Sequence, residues 1–201
     1  MKSFILKNSE YNRGAFLNIF SRKKDMNISL KKTWDLWLSL GILIGLTILV
    51  TSGEEPTFFW ALNTVFHEAG HPLFSIFGVT WGYLGGTIMQ LLIPCICAFG
   101  FFLKKEWLGI CCMVWWFGEQ LLGVGKYMGD ARIRELPLLG GGTDGHDWAY
   151  LFTNWNVLEW SEFMGKGVGE LGVFLMYISV GGVVFLFYKR RYSGQQNKEP
   201  L

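Results

Sequence analysis

Apolar residues in this chain fall into long blocks separated by short polar or glycine-rich breaks. Five blocks approach the roughly 17 to 25 residues that carry a helix across a bilayer. They are Leu36–Ser52, Phe58–Phe77, Thr87–Leu103, Trp107–Met128 and Leu171–Tyr188. Small soluble domains rarely build a core from runs of that length. The pattern predicts an all-α fold, a polytopic transmembrane helical bundle with about five spans. It divides the chain into a basic N-terminal segment (1–34), a membrane domain (35–190) and a polar C-terminal tail (191–201). The first block follows a long polar stretch and lacks a small-residue cleavage site, so it reads as a span and not as a signal peptide.

The breaks differ in character. Gly53-Glu54-Glu55-Pro56 is an acidic turn, and Lys104-Lys105-Glu106 is a tight connection. The stretch GVTWGYLGG, Gly78 to Gly86, predicts a re-entrant loop, whose backbone survives at membrane depth only where protein or a wet cavity satisfies it. The longest connection, Gly129 to Glu170, is glycine-rich at LLGGGTDGHDW and then aromatic. A connection of that length is functional or disordered. Trp148, Trp155 and Trp160 favour anchoring at a membrane interface.

Composition agrees with the pattern: of 201 residues, 51% are hydrophobic and only 17% charged. The net charge of +2 is unevenly spread. Eight of the 18 Lys and Arg precede the first block, and Lys189, Arg190 and Arg191 follow the last. Basic flanks stay cytoplasmic, which predicts a multi-pass protein of the cell membrane, suited to a bacterial inner membrane, with the lipid bilayer as partner. No basic stripe lies on a soluble face, so nucleic acid is not an expected partner. The charges conflict with five crossings, which would put the two basic ends on opposite sides. Either one block does not cross fully, or the long connection adds a half-helix. Cys95, Cys97, Cys111 and Cys112 all fall inside blocks and read as small hydrophobes.

One block carries chemistry. VFHEAGHPLF, Val65 to Phe74, sets His67, Glu68 and His71 in an otherwise apolar helix. Histidines four apart lie one turn apart on one helical face, within reach of one ion. Glu68 projects about 100° round the helix from His67, near enough to act on a metal-bound water. This is the arrangement of a zinc hydrolase, in which neutral imidazoles hold Zn²⁺ and a carboxylate takes the water's proton. Ionisable groups inside a membrane cost a few kcal/mol and usually serve function. Asn63, one turn before His67, adds a polar neighbour on that face. Pro72 cannot donate to the carbonyl of Glu68, so the helix is expected to kink or end beside the motif.

A catalytic zinc needs a third protein ligand. Asp130 closes the fourth block and shares a helical face with Glu119 and Lys126, a face that also carries Gly123. His146, in DGHDW, is the only other histidine. Asp130 and His146 compete for the position, and Asp147 reads as an orienting partner for another group.

The HEAGH within an apolar segment, the loop ending in Gly85-Gly86, a further span, and GDARIRELPLLGG after a fourth resemble the site-2-protease-like intramembrane zinc metalloproteases, more narrowly their small bacterial members. The likeness covers roughly residues 56 to 150. It implies that His67 and His71 are zinc ligands, that Glu68 is the general base, and that Asp130 is the third ligand. It also implies a transmembrane segment of another protein as substrate. The chain departs from the family in having Asp130-Ala131 where an Asp-Gly pair is usual, with Asp144-Gly145 downstream, and in having Pro72 after the second histidine.

The function expected is that of a membrane-embedded zinc metalloendopeptidase, with 35–190 as its metallopeptidase-like domain. Two alternatives keep the metal. In one, zinc joins helices in a non-catalytic binding or assembly module and takes four protein ligands. In the other, the same chemistry hydrolyses a lipid-like substrate.

Overall fold

The structure, a computed structural model, describes residues 34–53, 57–136 and 145–196. All regular structure among them is helical: α1 (Trp34–Thr51), α2 (Thr57–Ser75), α3 (Val79–Leu103), α4 (Trp107–Asp130), the short α5 (Asp147–Asn154), a 3₁₀ turn (Leu158–Trp160) and α6 (Ser161–Gln196). The basic segment before Trp34 and most of the LLGGGTDG stretch lie outside the described residues. Four helices, α1, α3, α4 and α6, are long and apolar enough to cross a membrane. Their outer faces carry large apolar side chains such as Ile48, Ile96, Phe99, Phe174 and Phe185, all exposed. So much exposed apolar surface fits lipid better than water.

The tightest seam joins α4 to α6. Gly118 and Gly125 on α4 meet Gly172, Gly165 and Gly169 on α6, and a Cβ added at Gly118 or Gly125 would lie 2.5 Å from the carbonyl oxygen of Gly172 or Gly165. Small residues let backbones approach where burial from water does not drive association. Above this seam, Leu36, Leu43 and Val50 of α1 recur every seventh residue and pack with Trp115, Met176 and Val183. Thr47 Oγ1 accepts the Trp115 indole N–H at 2.7 Å, satisfying a buried donor.

The direction of the helices resolves the charge conflict. Asp35 at the start of α1 pairs with Arg190 near the end of α6 at 2.9 Å, and α6 runs antiparallel to α4. Thr47 of α1 and Phe59 of α2 both touch Trp115. Further along, Asn63 meets Glu119 and His67 faces Tyr127. Both α1 and α2 therefore run in the same sense as α4, and α2 is not among the helices long and apolar enough to cross, which leaves an even number of candidate spans among the described residues. The start of α1, the α3–α4 turn with Lys104 and Lys105, and Lys189 to Arg191 all gather at one end of the bundle, which we call the basic end.

Three sequence expectations change. The Gly78–Gly86 stretch is not a re-entrant loop: the break is only Ile76 to Gly78, and α3 begins at Val79. Its glycines serve packing against α2, where a Cβ on Gly85 would meet the Gly70 carbonyl oxygen at 2.5 Å. Pro72 does not end α2, which continues to Ser75. Nor is Trp148 an interfacial anchor, because it lies in a core cluster with Val124, Met128, Leu151 and Phe152; Trp155 and Trp160 do remain exposed.

Candidate metal centre

Four helices build one polar site. From α2 come His67 and His71, one turn apart, with ring centroids 4.9 Å from each other. The α5 N-terminus brings Asp147, which is buried. Its Oδ2 lies 2.9 Å from His67 Nε2 and 3.5 Å from His71 Nε2. From the other side, the opposite ring nitrogens are held: His71 Nδ1 donates to the carbonyl of Gly82 at 2.8 Å, and His67 Nδ1 to Gln90 Oε1 at 3.1 Å. Both partners belong to α3.

These bonds fix the chemistry of the inner atoms. A neutral imidazole carrying its proton on Nδ1 presents a bare lone pair at Nε2. With both imidazoles neutral, two such lone pairs and a carboxylate oxygen converge with no hydrogen between them; a protonated imidazole would instead donate from Nε2 to Asp147. Three acceptors so arranged repel unless a cation lies between them. The donor atoms lie within 4.8 Å of one another, and the two pairs involving Asp147 bracket the spacing of about 3.3 Å that a tetrahedral zinc with bonds of about 2.0–2.1 Å imposes. The donor set of two imidazoles and one carboxylate suits zinc.

Packing makes room for the rings. Gly86 faces the His67 ring so closely that a Cβ there would sit 2.6 Å from Nε2. Asp147 is seated by α5, whose buried Ala149, Leu151 and Phe152 join the core of α4, and whose Tyr150 stacks on Tyr83 of α3 at 3.9 Å. Tyr127 of α4 receives the Asp147 backbone N–H at 3.0 Å, and its hydroxyl lies 3.5 Å from Asp147 Oδ2.

The two expected third ligands stand elsewhere. Asp130 Oδ1 and Oδ2 accept the backbone N–H groups of Glu135 and Leu136 at 2.9 and 3.1 Å. His146 Nε2 faces Asp130 Oδ2 at 3.3 Å without hydrogen-bond alignment. His146 Nδ1 caps α5 by accepting the Ala149 N–H at 3.2 Å, and the ring stacks on Tyr127 at 4.2 Å. Burial lowers its pKa, against the opposing pull of Asp130. Asp130 and His146 thus form a pair of their own, and among the described residues the group that can hold an ion is His67, His71 and Asp147.

Beside this group a cavity of about 270 Å³ opens along α2 and α4, lined among others by Trp60, His67, Glu68, Glu119, Gln120 and Tyr127. Glu68 lines it next to His67. Deeper in, Asn63 donates to both oxygens of buried Glu119 at 2.9 and 3.2 Å and accepts the Trp116 indole N–H at 3.1 Å. Gly123 also lines the cavity and has open space before it. It therefore widens the cavity and does not serve helix approach, a role that Gly118 and Gly125 fill. Gln90, Gly82 and Tyr127 carry no sequence motif, although Gln90 is the one amide in the apolar run of α3.

Compared with protein-family models, with curated proteins and with solved structures, the chain matches none of them.

Proposed function

We propose that the protein is a membrane-embedded zinc-dependent peptidase that hydrolyses peptide bonds in or near transmembrane segments of other proteins. The reading rests on one observation above others: two imidazoles, each with its outer nitrogen tied to an acceptor on α3, set their Nε2 atoms 2.9 and 3.5 Å from one oxygen of a buried aspartate. His67, His71 and Asp147 would hold the metal. Bound there, zinc supplies an acidified water and a polarised substrate carbonyl.

The chain's own residues do the rest. Glu68, on the cavity wall next to His67, takes the water's proton and delivers it to the departing amine. Gln90 and the Gly82 carbonyl hold the imidazoles in the tautomer that leaves Nε2 free. Tyr127, bonded to the Asp147 backbone, keeps that carboxylate on station. The cavity admits an extended backbone beside the site, and its apolar walls, Trp60 and Leu136 among them, suit apolar side chains.

Three converging donors beside an open cavity favour an enzyme over a module in which four protein ligands close the metal off. The decisive experiment compares Glu68→Gln with the parent protein in lipid. Zinc content should stay at the parent level while cleavage of a membrane-protein substrate falls by at least 100-fold. Full activity in the variant would remove the peptidase assignment, and conversion of lipid-like esters or amides instead of peptides would redirect it to a lipid-like substrate.

A further inference from the structure

His71, Gly82 and Asp147 lie near one end of the bundle, with Gln90 near the midpoint of α3, and the charge distribution tells which side that end faces. His71 is four residues from the end of α2, about 6 Å at 1.5 Å per residue. Its partner Gly82 is just inside the start of α3, and Asp147 opens α5, which follows the far end of α4. In the other direction, α3 runs from Gln90 to Leu103 before reaching Lys104 and Lys105, about 20 Å of helix. The metal group is therefore close to the end opposite the basic one.

Basic residues are unevenly spread along the sequence. The segment leading into Trp34, the α3–α4 turn and the stretch from Lys189 onward contribute fourteen of the 18 Lys and Arg. Only Lys126, Arg132, Arg134 and Lys166 lie in or beside the opposite half. Short basic flanks are retained in the cytoplasm and set orientation. Among the described residues, Lys104 and Lys105 lie at the same end as Lys189, Arg190 and Arg191, and α1 begins there.

We propose that the His67–His71–Asp147 site is reached from the extracytoplasmic side of the membrane, and that its substrates are polypeptide segments in the outer half of the bilayer or just beyond it. The choice of polypeptide rests on the peptidase reading above; the orientation does not. The cytoplasmic surface is separated from Gln90 by about half of α3.

Side-specific labelling of the full chain tests this. In a background with Cys95, Cys97, Cys111 and Cys112 replaced by Ala, single cysteines are placed at exposed positions: Asn154→Cys and Glu159→Cys at the site end, Lys104→Cys and Arg191→Cys at the basic end. In bacterial spheroplasts expressing each variant, a membrane-impermeant maleimide should label the first two. It should label the second two only after permeabilisation, when all four react. The reverse pattern, or labelling of both ends in intact spheroplasts, overturns the proposal. Using two positions per end guards against one poorly folded variant. Since labelling reports sidedness alone, its failure leaves the peptidase reading standing, just as an active Glu68→Gln variant leaves the orientation standing.

Discussion

Asp130 faces His146 across 3.3 Å at the point where α4 hands over to the segment that delivers Asp147. The same carboxylate gathers the N–H groups of Glu135 and Leu136, and the same imidazole caps α5 through Ala149. The pair fastens the end of α4 to the start of α5, one residue from the carboxylate that meets both site histidines. Neither side chain is hydrogen-bonded to the side chain of His67, His71 or Asp147, so losing one loosens the α4–α5 junction without removing a group that orients a proposed ligand. Asp130→Asn and His146→Gln should therefore each weaken zinc binding by less than the roughly 10- to 100-fold lost with a direct partner of a ligand, while one zinc per chain still binds at saturation. Competition titration with a chromogenic chelator measures it. Complete loss of the site in Asp130→Asn would make Asp130 a ligand after all.

Removing a proposed ligand should look different. His67→Ala, His71→Ala and Asp147→Ala should each leave purified protein without stoichiometric zinc, even in excess metal. Elemental analysis across the three variants separates this from the graded weakening at Asp130. An Asp147→Ala variant that retained parent-level affinity would break the donor set.

Gly86 and Gly123 form a matched pair for testing the space round the site. A methyl group at Gly86 meets the His67 ring, whereas one at Gly123 meets nothing within 4 Å. Gly86→Ala should displace the imidazole and reduce zinc affinity by at least 10-fold. Gly123→Ala should leave affinity unchanged, with at most a modest rise in KM from the narrowed cavity. Equal effects at the two positions would contradict the packing described for α2 and α3.

Asn63 links two helices through the buried Glu119 carboxylate and the Trp116 indole. Asn63→Ala withdraws a donor from both carboxylate oxygens and an acceptor from the indole. Leaving buried polar groups unsatisfied costs about 1–3 kcal/mol, so thermal unfolding in detergent should shift down by several degrees. Asn63→Asp should be worse, since it sets a second carboxylate against the first. An unchanged melting temperature in both variants would show that the contact contributes nothing.

Much of this architecture was legible in the pattern of residues, and the failures have identifiable causes. Apolar blocks gave the helices because length and hydropathy alone decide which segments cross a bilayer. HEAGH gave two histidines and a carboxylate because helical periodicity is local. The third donor was not local. Asp130 and His146 attracted attention as an acid at a helix end and a lone histidine, yet the residue brought to the site is Asp147. Its position depends on how α5 docks against α4, and no spacing rule reaches that far. Glycines misled in a different way: those after Gly78 resemble a loop in sequence, but in a membrane bundle glycine also marks where two helices touch. The direction of α2 was equally hidden, because a hydrophobic run does not say whether the chain turns back before it.

The seam between α4 and α6 offers a test of the fold independent of any metal. Gly125 has the backbone of Gly169 within 2.6 Å of where its Cβ would lie, and Gly165 faces the backbone nitrogen of Gly129 at 2.5 Å. Backbone cannot yield as a flexible side chain does, so a larger residue must push the helices apart and strip contacts along their length. Overpacking of this kind typically costs about 1–3 kcal/mol, and the loss propagates because α5 rests on Val124 and Met128 of the same helix. Gly125→Val should therefore lower the melting temperature and also weaken zinc binding through the displaced α5. Gly167→Val, two residues from Gly165 and on the opposite face of α6, facing open space, should do neither. Thermal unfolding and zinc titration of the two variants decide the matter, and comparable behaviour in both would mean that α4 and α6 do not meet along these glycines.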